Sequence, residues 1–593
     1  MAGYSLNILT LMAPQYRNRP GRHAMRRCVC FLLAGLLLTL ARGESTPVAE
    51  PAQAVPTFHC IGLTWRSAAG AAGNPCSVRY RAAGESPWRD ALPLWFDPNP
   101  HADAPEYARQ YRGSIVDLQP GTRYEISLQL ASGETQALTA ATWSEQFPVH
   151  AVRHLPAGTS TTPLVITEGG STANGYLVYE PAPGETAIID VGEAHPEAAR
   201  IEASFVILRG VTLKGGTQNG LVLGAVTDVI VEGCDISGWG SNKPGLPWGQ
   251  NLQAAIYSDT PVLERIVVQR CRLHHPRTDS NSWGEHGHPE GPQGITFKHP
   301  RGQLVIRYNE IYSDDQHCFN DGMGETDNFS YAGFPNRDSD IYGNRISHCW
   351  DDAIEAEGAN LNVRIWANYL DTTFNALGLA TTSLGPQYVY RNLSGFSRTN
   401  PPSMGNAPYP SGGSIFKLGT KRPRADTMAR GQVYLFHNTI LQPLMDGAPA
   451  GMRRGAYVTD PAYGVWNITA RNNILHTRPP GAQAVRDPLA DPSNDFDFDL
   501  YTGELVAAPG AESHGHATAP QYDASSPATC PTLAVGSPGH DAGAPLANFN
   551  SLHRGSGPDI GAAEAGLPPF RFGVDADWTA WLRAAENAPK PTR

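Results

Sequence analysis

The sequence predicts an all-β chain: a right-handed parallel β-helix solenoid preceded by a small β-sandwich. Nine short segments return to one column, Gly210, Cys234, Cys271, Asn309, Asn344, Asn368, Asn392, Asn438 and Asn472, at intervals of 24, 37, 38, 35, 24, 24, 46 and 34 residues. Each unit ends in a short β-rich run with an aliphatic residue two positions on, as in Ile311, Ile346 and Ile440, and no helical periodicity interrupts them. A repeat of this length with several tiny strands per unit reads as a stacked solenoid, whereas the alternating strands upstream read as a sandwich. Successive coils stack about 4.8 Å apart, so residues distant in sequence can be aligned by column and their neighbours predicted.

Residues 1–43 read as an export signal. Arg17, Arg19, Arg22, Arg26 and Arg27 precede an apolar run from 28 to 41, too short for a comfortable membrane span and ending in small residues near Gly43. Loss of the six arginines of this segment takes the net charge from −11 to −17, which argues against nucleic acid as a partner. No second apolar stretch is suited to a bilayer, so a secreted or periplasmic, monomeric protein is expected. Seven cysteines then remain, an odd number suited to an oxidising compartment with pairs and one leftover thiol; Cys60 and Cys76 flank one hairpin and can be bridged.

Residues 57–143 alternate apolar and polar positions, as in Ser77-Val78-Arg79-Tyr80-Arg81. The run Leu118-Gln119-Pro120-Gly121-Thr122-Arg123-Tyr124-Glu125-Ile126 has the form of a tyrosine corner, in which a buried Tyr bonds back to the preceding turn. This module resembles fibronectin type III domains. It reads as a spacer or docking domain, or as a glycan contact. Residues 145–200 are expected to cap the solenoid, 201–480 to form it, 481–570 to close its far end, where strand edges and core would otherwise be exposed, and 571–593 to be a tail.

Within the solenoid the second strands align as Gln293 to Lys298, Asp321 to Thr326, Asp352 to Glu357 and Asn375 to Ala380. Alternation sends Ile295, Met323, Ile354 and Leu377 into the core and Thr296, Lys298, Glu355 and Glu357 to solvent. His317-Cys318-Phe319-Asn320-Asp321 matches His348-Cys349-Trp350-Asp351-Asp352, so Asp321 is expected over Asp352, with Asp351 beside them and Cys318 near Cys349. Like charges one coil apart raise each other's pKa, so a cation or a shared proton is needed, and both are devices of catalysis.

Insertions at 239–253, 274–292, 325–340 and 393–413 fall beside this strand and would wall a groove. Their aromatic residues, Trp239, Trp248, Trp283, Phe329, Tyr331, Phe334 and Tyr409, are candidates to stack on sugars or simply to pack the loops. Trp283 and Tyr331 are the substrate-binding candidates among them. The stacked asparagines read as structural, bonding side chain to backbone at a repeated turn.

Asn320-Asp321-Gly322, then Asp351-Asp352-Ala353-Ile354, then Ile415-Phe416-Lys417 resemble the catalytic coils of polygalacturonases and related pectin hydrolases of the pectin-lyase-like β-helix class. This sequence departs from that pattern at Leu377-Gly378-Leu379 and at Ile415. The resemblance implies an inverting glycoside hydrolase acting on a uronate-containing polysaccharide without a cofactor. Asp351 would be the acid, Asp321 and Asp352 would activate water, and Lys417 with Lys421, Arg422 and Arg424 would bind a substrate carboxylate.

The alternative is a polysaccharide lyase. Glu355 and Glu357 would hold Ca²⁺ through oxygen ligands, as in β-helix lyases, with Lys298 the candidate base that takes the proton beside a neutralised uronate carboxylate. A third reading is a glycan-binding or adhesin solenoid without catalysis. His286, His288 and Glu290, near His274 and His275, fit no common zinc spacing.

Overall fold

The structure is a computed structural model describing residues 49–101, 103–399, 413–421, 428–441, 454–458, 463–477 and 481–589. The expected export segment, Tyr409, Arg422 and Arg424 lie outside the described residues. No helix among those described is long and apolar enough to cross a membrane.

Seven antiparallel strands between Glu50 and Ala141 form the small sandwich. Alternation along Cys76–Ala82 and Arg123–Leu130 sends Val78, Tyr80, Ile126 and Leu128 inward against Leu63, Trp65 and Tyr111. The tyrosine corner closes as expected, the Gln119 amide donating to Tyr124 Oη at 2.9 Å.

Parallel pairing begins where Val149–Leu155 meets Tyr176–Pro181, and it continues to Leu500–Thr502 beside His516–Ala517. The right-handed β-helix is built of stacked rungs in three ladders, two of them sheets of twelve and six strands. Its filling is aliphatic and in register: Ile295 lies beside Met323, and Ile354 beside Leu377, which lies beside Phe416, all fully or almost fully buried.

A buried asparagine ladder runs along one corner. The amides of Asn309, Asn344, Asn368, Asn392 and Asn438 each donate at 2.9–3.1 Å to the side-chain oxygen of the next. Each side-chain amide also donates to a carbonyl of the preceding rung, as Asn368 does to Ile341 at 3.0 Å. The expected column is corrected at both ends. The ladder continues from Asn438 to Asn473 and then Asp499, not to Asn472, and Val211 rather than Gly210 lies one rung from Cys234, since Thr212 pairs with Asp235. Gly210 and Asn472 occupy the preceding turn position, with φ of 66° and 62°. Both residue types favour the left-handed region, which is why sequence alone confuses the turn with the rung. Asn368→Ala should cost about 2–5 kcal/mol in chemical denaturation, because it orphans buried partners on two rungs.

The seven described cysteines are all free and buried, which corrects the expectation of disulfide pairs. Cys60 and Cys76 pack in different hydrophobic clusters, and Cys234 and Cys271 occupy the ladder column as small core residues. The sandwich is fixed against the solenoid by buried polar contacts. Arg112 donates to Asp97 and to the Leu384 carbonyl, both at 2.7 Å, Asn362 donates to the Leu63 carbonyl, and Arg364, paired with Asp340 inside the solenoid, donates to Thr57 Oγ1 at 3.4 Å. Helix α1, Trp578–Asn587, capped by Asp577, packs Trp578 and Trp581 near Trp366 on the same side.

Candidate active site

The site forms where two rungs lose their corner. Elsewhere short strands alternate with turns, but Arg345–Glu355 and Tyr369–Gly378 run on as single long strands. Cys349 pairs with Thr373 and Asp352 with Asn375, so one strand advances three residues while its partner advances two. That bulge at Trp350 and Asp351 lets two consecutive aspartates reach one site, which regular alternation forbids.

Asp321 and Asp352 lie on neighbouring rungs, as expected. The Asp352 amide donates to Asp321 Oδ1 and the Gly322 amide to the Asp352 carbonyl, both at 3.0 Å. Gln293 holds the other Asp321 oxygen at 2.8 Å. Asp351 accepts from Asn375 Nδ2 at 3.2 Å and from Trp283 Nε1 at 3.3 Å, and His288 Nε2 stands 3.7 Å from it. Glu355 accepts from Asn328 at 3.1 Å, and Glu357 from the Ala380 amide at 3.1 Å. Lys417 bonds Asp352 and lies 3.4 Å from Glu357. Oxygens of Asp321, Asp351 and Asp352 lie within 4.8 Å of one another, as do those of Asp352, Glu355 and Glu357. Gly378 makes the room, for a Cβ there would stand 2.3 Å from Asp352 Oδ2.

The structure corrects the solvent-facing expectation for Thr296, Glu355 and Glu357. They point away from the aliphatic core yet are buried, as are Asp321, Asp351 and Asp352, with Trp283 reaching Asp351 and Asn328 reaching Glu355 from their insertions. Burial, and then the charges of Asp351 and Asp352, push Asp321 well above the carboxylate range. Burial, and then Asp321 and Glu357, do the same to Glu355. Burial pushes Asp352 up to about 8 against the pull of Lys417. Burial disfavours the Lys417 ammonium, but Asp352 and Glu357 outweigh it and raise its pKa well above the ordinary value.

These shifts carry a stability prediction. A carboxyl whose folded pKa is raised contributes stability that is complete below its unfolded value, near 4.5 for Glu355, and is lost as pH rises toward the folded value. Glu355→Gln, which can still accept from Asn328, should therefore raise stability by about 1–3 kcal/mol at pH 8. That gain should vanish at pH 4 in paired thermal melts.

The remaining candidates disperse. Lys298 pairs with Asp259 at 3.1 Å, away from the acids. Tyr331 reaches toward the sandwich, its hydroxyl hydrogen-bonded to His101 Nδ1 at 3.1 Å, and packs against Ala359, Leu361 and Leu384. Trp239 and Phe334 belong to the solenoid core, and Trp248 leans on His286. Glu290 pairs with Lys243, while His288 turns toward Asp351, so the loop's histidine and acid face different partners. Trp283, His288, Asn328, Phe329 and Lys417 line one cavity of about 240 Å³ with Asp351, Glu355 and Glu357. Gln293 and Asn375 stood at the head of the aligned strands and could have been read from their column. Arg454, which also lines the cavity, could not, because it lies between Asn438 and Asn472 in an interval where no motif marks the register of the second strand.

The donor set suits a hard cation: carboxylates and amide oxygens, with no sulfur or imidazole at its centre. Asp352 Oδ1 is buried there with no hydrogen-bond partner, the kind of orphaned oxygen an oxygen-seeking ion satisfies. The scaffold and these clustered acids are compatible with a carbohydrate-active protein. No protein-family profile matches the chain, and no curated protein matches it in sequence. Among solved structures, the catalytic unit of a thermostable GH87 α-1,3-glucanase from Streptomyces thermodiastaticus strain HF3-3 is similar to this chain at 12% identity and a TM-score of 0.36, covering 77% of this chain and 84% of its own.

Proposed function

We propose that this protein is an exported, calcium-dependent polysaccharide lyase that cleaves a uronate-containing glycan by β-elimination. The observation that carries the reading is the crowding of Asp321, Asp351, Asp352, Glu355 and Glu357 around a single lysine, with Asp352 Oδ1 left unpartnered. So many buried carboxylates cannot all ionise without compensation. Asp321, Asp352, Glu355 and Glu357 would hold the ion, which supplies charge to neutralise the uronate carboxylate and acidify the proton on the adjacent carbon.

Lys417, rather than the expected Lys298, is the amine beside these carboxylates, and it takes the base role. Its ammonium faces the charge of Asp352 and Glu357, and a cation held by those carboxylates would draw that charge away and make the amine easier to deprotonate. The abstracted proton's electron pair becomes a carbon–carbon double bond as the glycosidic oxygen leaves. Trp283 and Phe329 offer apolar faces along the cavity to position the sugar.

A separate observation favours hydrolysis as the second reading. Burial pushes the Asp352 carboxyl up to about 8, the direction in which a general acid must be shifted, and in this reading it would carry the proton that Lys417 otherwise faces as a charge. Incubation with acidic glycans, with and without chelator, separates the two. Chelator-sensitive absorbance near the ultraviolet edge marks the unsaturated product of a lyase. New reducing ends without that absorbance overturn elimination and establish hydrolysis.

A further inference from the structure

We propose that Arg454 is a specificity-determining residue that receives the carboxylate of a second sugar, so that the substrate is a polyanionic glycan lying along the solenoid axis. The proposal rests on the functional reading above and deepens it by naming where a repeated charge is met.

Register places the arginine. Asp352 pairs with Asn375, the Ser414 amide donates to Asn375 Oδ1 at 3.0 Å, and Ser414 pairs with Arg454. Leu377 beside Phe416 and Gly378 beside Lys417 give the same offset. Asp352, Asn375, Ser414 and Arg454 thus form one column, with Arg454 three rungs from Asp352, about 14 Å at the spacing of parallel strands. The backbone anchors this position too, as the Arg454 amide donates to the Gly413 carbonyl at 3.1 Å.

The chemistry between the two ends is what a bound chain requires. Asn375 and Ser414 are short and uncharged, and with Ala380, Gly413 and Gly419 they line the one cavity that the acids share with Arg454. The acidic end suits a sugar carboxylate only with a cation. The arginine end suits a carboxylate directly, through a planar fork of donors that matches it. The strands that carry the two groups stand three rungs apart, so a polymer with a carboxylate on successive sugars can meet the acids with one and Arg454 with the next.

The test compares the full chain with Arg454→Gln and Arg454→Lys on a polyuronate and on its methyl-esterified, uncharged form. Arg454→Gln should raise KM about tenfold on the charged polymer, with kcat within about twofold and no change on the esterified one; Arg454→Lys should recover part of the loss. Calorimetric binding of uronate oligomers to Lys417→Met, with and without Arg454→Gln, reads the same contact without turnover and should weaken about tenfold. An equal effect on both polymers, or none on either, overturns the assignment. So does failure of the Lys417→Met protein to prefer uronate oligomers over neutral ones. Absence of any cleavage by the unmodified protein would overturn the lyase reading instead, and the binding comparison would still decide Arg454.

Discussion

Lys417→Met should lower turnover by about 10³-fold or more, and it should destabilise the protein at the same time. The two effects share a cause. Lys417 is the amine bonded to Asp352 and near Glu357, so removing it deletes the proposed base and strands two buried carboxylates. Breaking a buried pair by removing one partner costs about 3–5 kcal/mol, because the surviving charge stays out of water. The sign of the pH dependence follows. Without the ammonium Asp352 is pushed further up, so the deficit should be largest near pH 8 and should shrink as pH falls toward 4 and Asp352 takes up its proton. Calcium should raise the melting temperature of this variant more than that of the unmodified protein, since no ammonium competes for the same oxygens. Unaltered melts at pH 8 together with turnover within tenfold of normal would remove Lys417 from the chemistry.

Asp352→Asn should abolish both turnover and the response to calcium while glycan binding persists. The amide preserves the shape of the side chain, and the backbone amide of residue 352 can still donate to Asp321 Oδ1. What disappears is the charge shared by both groups of carboxylates and by Lys417. For the unmodified protein, calcium at about a hundred times its dissociation constant should add about 2.7 kcal/mol of stability, seen as a rise in melting temperature. The variant should show almost none. Three outcomes separate the readings of this groove. Loss of turnover with loss of the calcium response supports the lyase. Loss of turnover in a protein that calcium never stabilised supports hydrolysis through a protonated Asp352. Unchanged behaviour in both assays supports a surface that binds without cutting.

The acids at the centre were legible because a solenoid converts sequence spacing into spatial neighbourhood. Once Ile295, Met323, Ile354 and Leu377 are assigned to one inward column, Asp321 must stand beside Asp352. The bulge was less visible: Asp351 and Asp352 are adjacent in sequence, and only the pairing of Cys349 with Thr373 shows how both reach the site. The partner cation was misplaced for a related reason. Lys298 and Lys417 both occur on outward strand positions, and their column alone does not say that Asp259 takes the first while Asp352 and Glu357 take the second.

Periodicity alone, then, determined the stacking register, the aliphatic filling, the asparagine ladder to within one residue at its ends, and the pairing of Asp321 with Asp352. These follow from short-range steric and hydrogen-bonding preferences repeated at each coil. The tertiary structure decided that the acids are buried rather than solvated, that Trp283 rather than Tyr331 faces them, and that Arg454 stands further along their column. Those outcomes depend on where long insertions land after leaving the rung. Their paths are set by packing against the sandwich and neighbouring coils, and no spacing in the chain encodes them.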